Sequence, residues 1–112
     1  MKRIEAIIRP EKLDAVRTAL ERAGCSGVMI SEIEGHGKQQ GITQQWRGEK
    51  YRVDLLPKIR VEVVVKDNEV NRIADAIIAA AKTGEIGDGK IFVSQVETAI
   101  RIRTGEKGDP AL

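Results

Sequence analysis

One cysteine, one histidine and three aromatic residues are all that this 112-residue chain offers of the side chains that build disulfides, metal centres and bulky cores. A single cysteine, Cys25, rules out an internal disulfide framework and fits a reducing compartment, where a lone thiol serves as a small filler. A single histidine, His36, cannot make a His-based zinc site or a proton relay. No stretch reaches the run of about 18 apolar residues that a membrane helix needs, so no direct membrane insertion is expected. The N-terminus lacks an apolar run of signal-peptide type, and the expectation is a cytoplasmic protein. Nor does one sign of charge dominate. Nineteen basic and 17 acidic residues are interspersed, for a net charge of +2, which does not point to nucleic acid. No Ser-His-Asp or Cys-His arrangement is readable and no activated nucleophile can be named, so an enzyme is not expected.

What is present is a clean periodicity. The length suggests one domain spanning residues 1–112. Ile4, Ala6 and Ile8 alternate within Lys2 to Arg9, the pattern of a strand. Pro10 stands where a helix tolerates proline, and Leu13, Val16, Leu20 and Ala23 then recur at three and four, with Gly24 as a stop. Val28 to Glu34 reads as a second strand and the β-branched run Ile59 to Val65 as a third. Asp67 or Asn68 is suited to cap a second helix whose buried stripe is Val70, Ile73, Ala74, Ile77, Ile78 and Ala81. Lys82 to Gly84 ends that helix. Ile91 to Val96 forms a fourth strand, and Arg101 to Arg103 a short C-terminal fifth. The order is βαβ, a long connection, then βαβ. This is the α+β, ferredoxin-like βαββαβ arrangement, with a long loop between strands 2 and 3. A small open sheet has edges to protect, which makes association plausible.

The connection, about residues 37–56, is polar and carries three glycines. Twenty residues without a core pattern inside a compact domain point to function or disorder. Trp46 and Tyr51, two of the three aromatic residues, lie in it. With Arg47 they suit a contact surface for partners.

The most informative stretch runs from Thr83 to Glu106. Gly87-Asp88-Gly89 lets backbone N–H groups approach an anion without Cβ interference. Lys90, Arg101 and Arg103 supply positive charge for a polyphosphate, and on a strand Arg101 and Arg103 would share one face. Gly84-x4-Gly89-Lys90 nearly matches a P-loop. Ile91 replaces the hydroxyl residue that would hold magnesium, however, and a helix precedes the glycines where a P-loop has a strand. The P-loop reading is rejected.

TGEIGDGKIFV and IRIRTGE, at residues 83–93 and 100–106, resemble the C-terminal signature of the PII nitrogen-regulatory signal transduction proteins. GHGKQQGITQQWRGEKYRVDLLPKIRVEVVV, residues 35–65, is similar to that family's long regulatory loop and the strand after it. MKRIEAIIRPEKLDAVRTAL fits its start, so the resemblance spans essentially the whole chain. It implies a homotrimer that senses ATP or ADP together with Mg2+ and 2-oxoglutarate. Gly87, Asp88, Gly89, Lys90, Arg101 and Arg103 would surround the phosphates in a cleft between subunits. Ile7, Met29, Gly35, Glu62 and Val64 would lie by the adenine or close to the site. Gln39 would ligate magnesium through oxygen and Lys58 would pair with one carboxylate of the oxo acid. Backbone N–H groups around Gly37 to Gly41, a stretch including Gln40, would hold the other carboxylate. The loop would engage targets such as an ammonium transporter, nitrogen-metabolism enzymes or regulatory kinases, and Tyr51 matches a tyrosine that some members have modified. The sequence departs from the family in that loop. Gln40 replaces the usual lysine, Trp46 the usual tyrosine, and Lys50 a frequent acid, while Glu49 excludes serine modification at its position.

Two rival readings carry their own tests. A small phosphohydrolase would show phosphate release abolished by Arg103→Ala, but no base or water-positioning group is evident. A nucleic-acid module would bind RNA in a salt-dependent way, but the strands lack the aromatic stacking pattern.

Overall fold

A computed structural model describes the backbone of residues 1–35, 42–46, 49–53 and 56–112, and the side chains of 1–34 and 56–112. The elements run β1 (Lys2–Ile8), a 3-10 turn (Pro10–Lys12), α1 (Leu13–Arg22), β2 (Met29–Gly35), β3 (Ile42–Trp46), β4 (Glu49–Val53), β5 (Leu56–Val65), a 3-10 turn (Asp67–Glu69), α2 (Val70–Ala81) and β6 (Lys90–Gln95). Strands β2, β5, β1 and β6 form one antiparallel sheet in that order. This is the ferredoxin-like order expected from the split βαβ pattern.

The alternation in β1 and β5 sets the two faces. Ile4, Ala6 and Ile8 with Ile59, Val61, Val63 and Val65 lie under the helices, joined by Val16 and Leu20 of α1 and Ile73, Ile77 and Ala81 of α2. Among the described residues the core is aliphatic, and Phe92 stays exposed on β6. Burying a side chain of this kind stabilises by about 1.5–3 kcal/mol relative to leaving it in water. The opposite, open face carries two arginines and two glutamates at its centre. Arg60 Nε lies 3.5 Å from Glu5 and 3.9 Å from Glu62, and Arg3 Nε lies 3.8 Å from Glu62.

Gly24 stops α1 as expected. Its φ is +82°, its N–H donates to Glu21 O, and the Cys25 N–H donates to Leu20 O, a Schellman closure. Four expectations change. Neither Asp67 nor Asn68 caps α2. The register Lys2↔Val65 carries the chain start past the end of β5, and the Asp67 carboxylate pairs at 2.8 Å with the terminal amine of Met1 instead. Ile78 is half exposed because it follows Ile77 by one position, about 100° around the helix, and sits at the edge of the stripe. β5 starts at Leu56 rather than Ile59, because pairing with β2 continues to Gly35↔Leu56. The C-terminal strand reduces to one bridge, Ile100↔Lys107, with residues 102–104 forming a turn. Within the long connection, β3 and β4 pair antiparallel from Ile42↔Val53 to Trp46↔Glu49.

Candidate functional site

The segment between α2 and β6 is organised from within by one carboxylate. Asp88 Oδ2 accepts the N–H groups of Thr83 and Gly84, both at 2.9 Å, and Oδ1 accepts the Thr83 hydroxyl and Arg9 Nε, the latter at 3.0 Å. The Thr83 hydroxyl in turn accepts the Glu85 N–H at 3.1 Å. The Thr83 hydroxyl above all, then the two backbone donors and Arg9, hold the Asp88 carboxyl well below the usual carboxylate range. Asp88 therefore faces its own turn, and it stays ionised.

Two cations reach the same turn from the sheet. Arg9 Nη2 donates to Ile86 O at 2.8 Å, and Lys58 Nζ donates to Gly87 O at 2.9 Å. Lys58 is only 9% exposed, an uncommon state for a lysine. Burial first, and then the nearby Arg9 charge, push its ammonium below the usual lysine range, while Glu11 and Asp88 pull the other way. Gly87 and Gly89 both have φ of +101°, a conformation that L side chains rarely adopt. Gly89 is needed for a second reason. A Cβ there would lie 1.7 Å from the carbonyl oxygen of Ile7.

The sheet register places several expected residues together. Ile7, Met29, Glu62, Val64 and Lys90 occupy open-face positions of β1, β2, β5 and β6, with Met29 opposite Glu62 and Ile7 opposite Lys90. Arg101 and Arg103 are not brought to that group. The strand expected to align them is a turn, closed by Gly105 N–H to Arg101 O and Arg101 N–H to Glu106 O. Within it, Arg101 Nη1 donates to Glu106 at 2.9 Å and Nη2 to Pro110 O at 3.0 Å, and Thr104 also holds Glu106. Among the described residues, no hydrogen bond or ion pair joins either arginine to residues 87–90. Gly35 ends β2, and Trp46 and Tyr51 lie in β3 and β4, but their side chains are outside the described residues, as are Gly37, Gln39, Gln40, Gly41 and Arg47 altogether. A cavity of about 230 Å³ opens between α2 and the ends of β1 and β6, lined by Ile8, Ile77, Ile78, Ala81, Gly89 and Ile91 among others.

Comparison with known proteins settles the family. The family model described as "Nitrogen regulatory protein P-II" matches residues 1–106. This chain belongs to the P-II family. A P-II protein of Nostoc punctiforme is 58% identical over 112 residues, covering all of both chains. One from Microchaete diplosiphon is 57% identical with the same coverage. "Nitrogen regulatory protein P-II 2" of Methanothermobacter thermautotrophicus is 54% identical, covering all of this chain and 97% of that protein. This P-II protein is thus a nitrogen-regulatory signalling protein, a regulator rather than an enzyme. No helix among its described residues is long and apolar enough to cross a membrane.

Sequence reasoning passed over Arg9 and Thr83, whereas Glu106, with Glu97, is a pairing partner that the sequence offers Arg101. Arg9 and Asp88 lie 79 positions apart, beyond any local period. Thr83 left a signal, since a hydroxyl residue before Gly-Glu is a common local turn former.

Proposed function

We propose that this P-II protein senses ATP or ADP together with 2-oxoglutarate, and that it reports the result to target proteins through residues 37–56. In this reading the chain acts as one P-II domain over residues 1–112, in the cytoplasm and as a homotrimer, with the nucleotide in the cleft between copies. Gly87, Gly89 and Lys90 meet the phosphates. Arg101 and Arg103 join them once Arg101 exchanges Glu106 for phosphate oxygens, and Asp88 shapes the turn. Ile7, Met29, Gly35, Glu62 and Val64 surround or approach the base.

The observation that carries the reading is the bond from Lys58 to Gly87 O. The lysine assigned to the oxo acid already touches the turn assigned to the phosphates. A carboxylate that engages Lys58 therefore acts on the phosphate turn directly, which gives two effectors a shared element to bias. Magnesium suits an all-oxygen donor set of the Gln39 side chain and phosphates, where it neutralises phosphate charge and offers the oxo acid a chelation point. Backbone N–H groups of residues 37–41, Gln40 among them, hold the second carboxylate. Trp46, Arg47 and Tyr51 meet the targets, an ammonium transporter or nitrogen-metabolism enzymes and regulators.

Isothermal titration tests the coupling. 2-Oxoglutarate binds tightly only with Mg-ATP present, and Lys58→Ala loses the oxo acid response while keeping ATP. Equal binding of 2-oxoglutarate with and without Mg-ATP refutes the mechanism.

A further inference from the structure

We propose that Arg9 is a positioning residue of the phosphate turn, fixing the direction in which the Gly87 N–H is presented and cancelling the charge of Asp88 beside the ligand. The inference rests on the nucleotide reading above and assigns a role to a residue outside the expected site.

The local sequence aims this side chain. Pro10 disfavours a helical Arg9, whose backbone is extended at φ −65° and ψ 140° directly after β1. The side chain is 13% exposed and reaches two acceptors at once, Asp88 Oδ1 through Nε and Ile86 O through Nη2. A planar guanidinium fork suits this, since its separate nitrogens hold the two donors at a fixed spacing that a single ammonium centre lacks. The consequence follows from peptide geometry. In a planar trans unit the C=O and the next N–H point in opposite directions. Holding Ile86 O toward Arg9 turns the Gly87 N–H away from it. Among the described residues that N–H meets no acceptor. The positive φ of Gly87 permits this peptide orientation.

Charge makes the second argument. An ionised carboxylate next to Gly87 and Gly89 would repel a polyphosphate at close range. Arg9, 3.0 Å away, offsets it. Lys58, also near Asp88, holds the next carbonyl.

The test is ATP titration into the full chain and three variants, each checked for a cooperative thermal melt. Arg9→Gln is expected to weaken ATP binding by about tenfold, the worth of a charge-assisted contact. Arg9→Lys, which keeps the charge but only one donor centre, falls between. The double variant Arg9→Gln, Asp88→Asn recovers part of the loss, because the uncompensated carboxylate is gone; a merely structural role predicts no recovery. Unchanged affinity in Arg9→Gln, or a double variant that binds no more tightly than the single one, overturns the role of Arg9. A wild-type protein that binds no ATP overturns the nucleotide reading instead, and the inference with it.

Discussion

Replacing Gly89 by alanine should damage this protein more than the same change at Gly84, another glycine of positive φ. A Cβ at position 89 would sit 1.7 Å from Ile7 O and 2.8 Å from Ile7 C. Relief needs a retreat of more than about 1 Å, well beyond the give of packed backbone. Ile7 cannot yield cheaply, because it is paired on one side with Arg60 of β5 and on the other with Lys90 of β6. The φ of +101° adds about 1–2 kcal/mol for a residue with a side chain. Spreading the strand ends loses one or two ladder hydrogen bonds, at about 1 kcal/mol each. The sum is about 2–4 kcal/mol, a large share of the roughly 5–15 kcal/mol that stabilises a domain. At about 4 °C per kcal/mol it lowers the melting temperature by about 8–16 °C. Gly84 provides the control, since its φ is +89° and nothing lies within 4 Å of the position a Cβ would take. Gly84→Ala should cost only the conformational part. Calorimetric or circular-dichroism melts of the two variants at one protein concentration decide the matter. If Gly89→Ala melts within about 3 °C of Gly84→Ala, the close approach to Ile7 is wrong.

Three further outcomes are expected. Glu106→Gln should tighten ATP binding several-fold by removing the anion that competes for Arg101, with little effect on the melt because the pair is exposed; unchanged or weaker binding in titration would separate Arg101 from the phosphates. Leu20→Ala, at a fully buried position, should lose about 3 kcal/mol in urea unfolding, and a loss under 1 kcal/mol would contradict its place in the core. Acid should act through Asp88, whose folded carboxyl titrates below its unfolded counterpart. Its stabilisation is therefore complete above the ordinary carboxylate range near pH 4 and is lost as the pH falls from there toward the folded value. The gap between the melts of wild type and Asp88→Asn should accordingly hold above about pH 5 and narrow steadily as the pH falls below about 4, and a gap that widens in acid would reverse the assignment.

The fold was readable where periodicity speaks. The alternation of Ile4, Ala6 and Ile8 and the helical spacing of Val16, Leu20, Ile73 and Ile77 name the buried faces without any knowledge of the sheet. The motif resemblance placed the family correctly. What sequence could not show was decided by long-range geometry. Asp67 is an ordinary capping residue until the register of β1 on β5 delivers a terminal amine to it. Asp88 sits in a glycine turn and invites a ligand role, yet four donors from its own chain saturate it. The Arg-Ile-Arg spacing suggests a strand face only if a neighbouring strand is there to pair with. Here the segment closes on Glu106 and Pro110. The burial of Lys58 was likewise invisible, because it depends on a turn 29 positions away.

The quartet of Arg3, Glu5, Arg60 and Glu62 bears on how copies of this chain would meet. Its two positive and two negative groups cancel within a single sheet. The centre of that surface thus projects no long-range field to guide diffusional encounter. Should copies assemble through it, their association rate would sit near the unsteered 10⁵–10⁶ M⁻¹s⁻¹ and change little with ionic strength, roughly as for neutral partners.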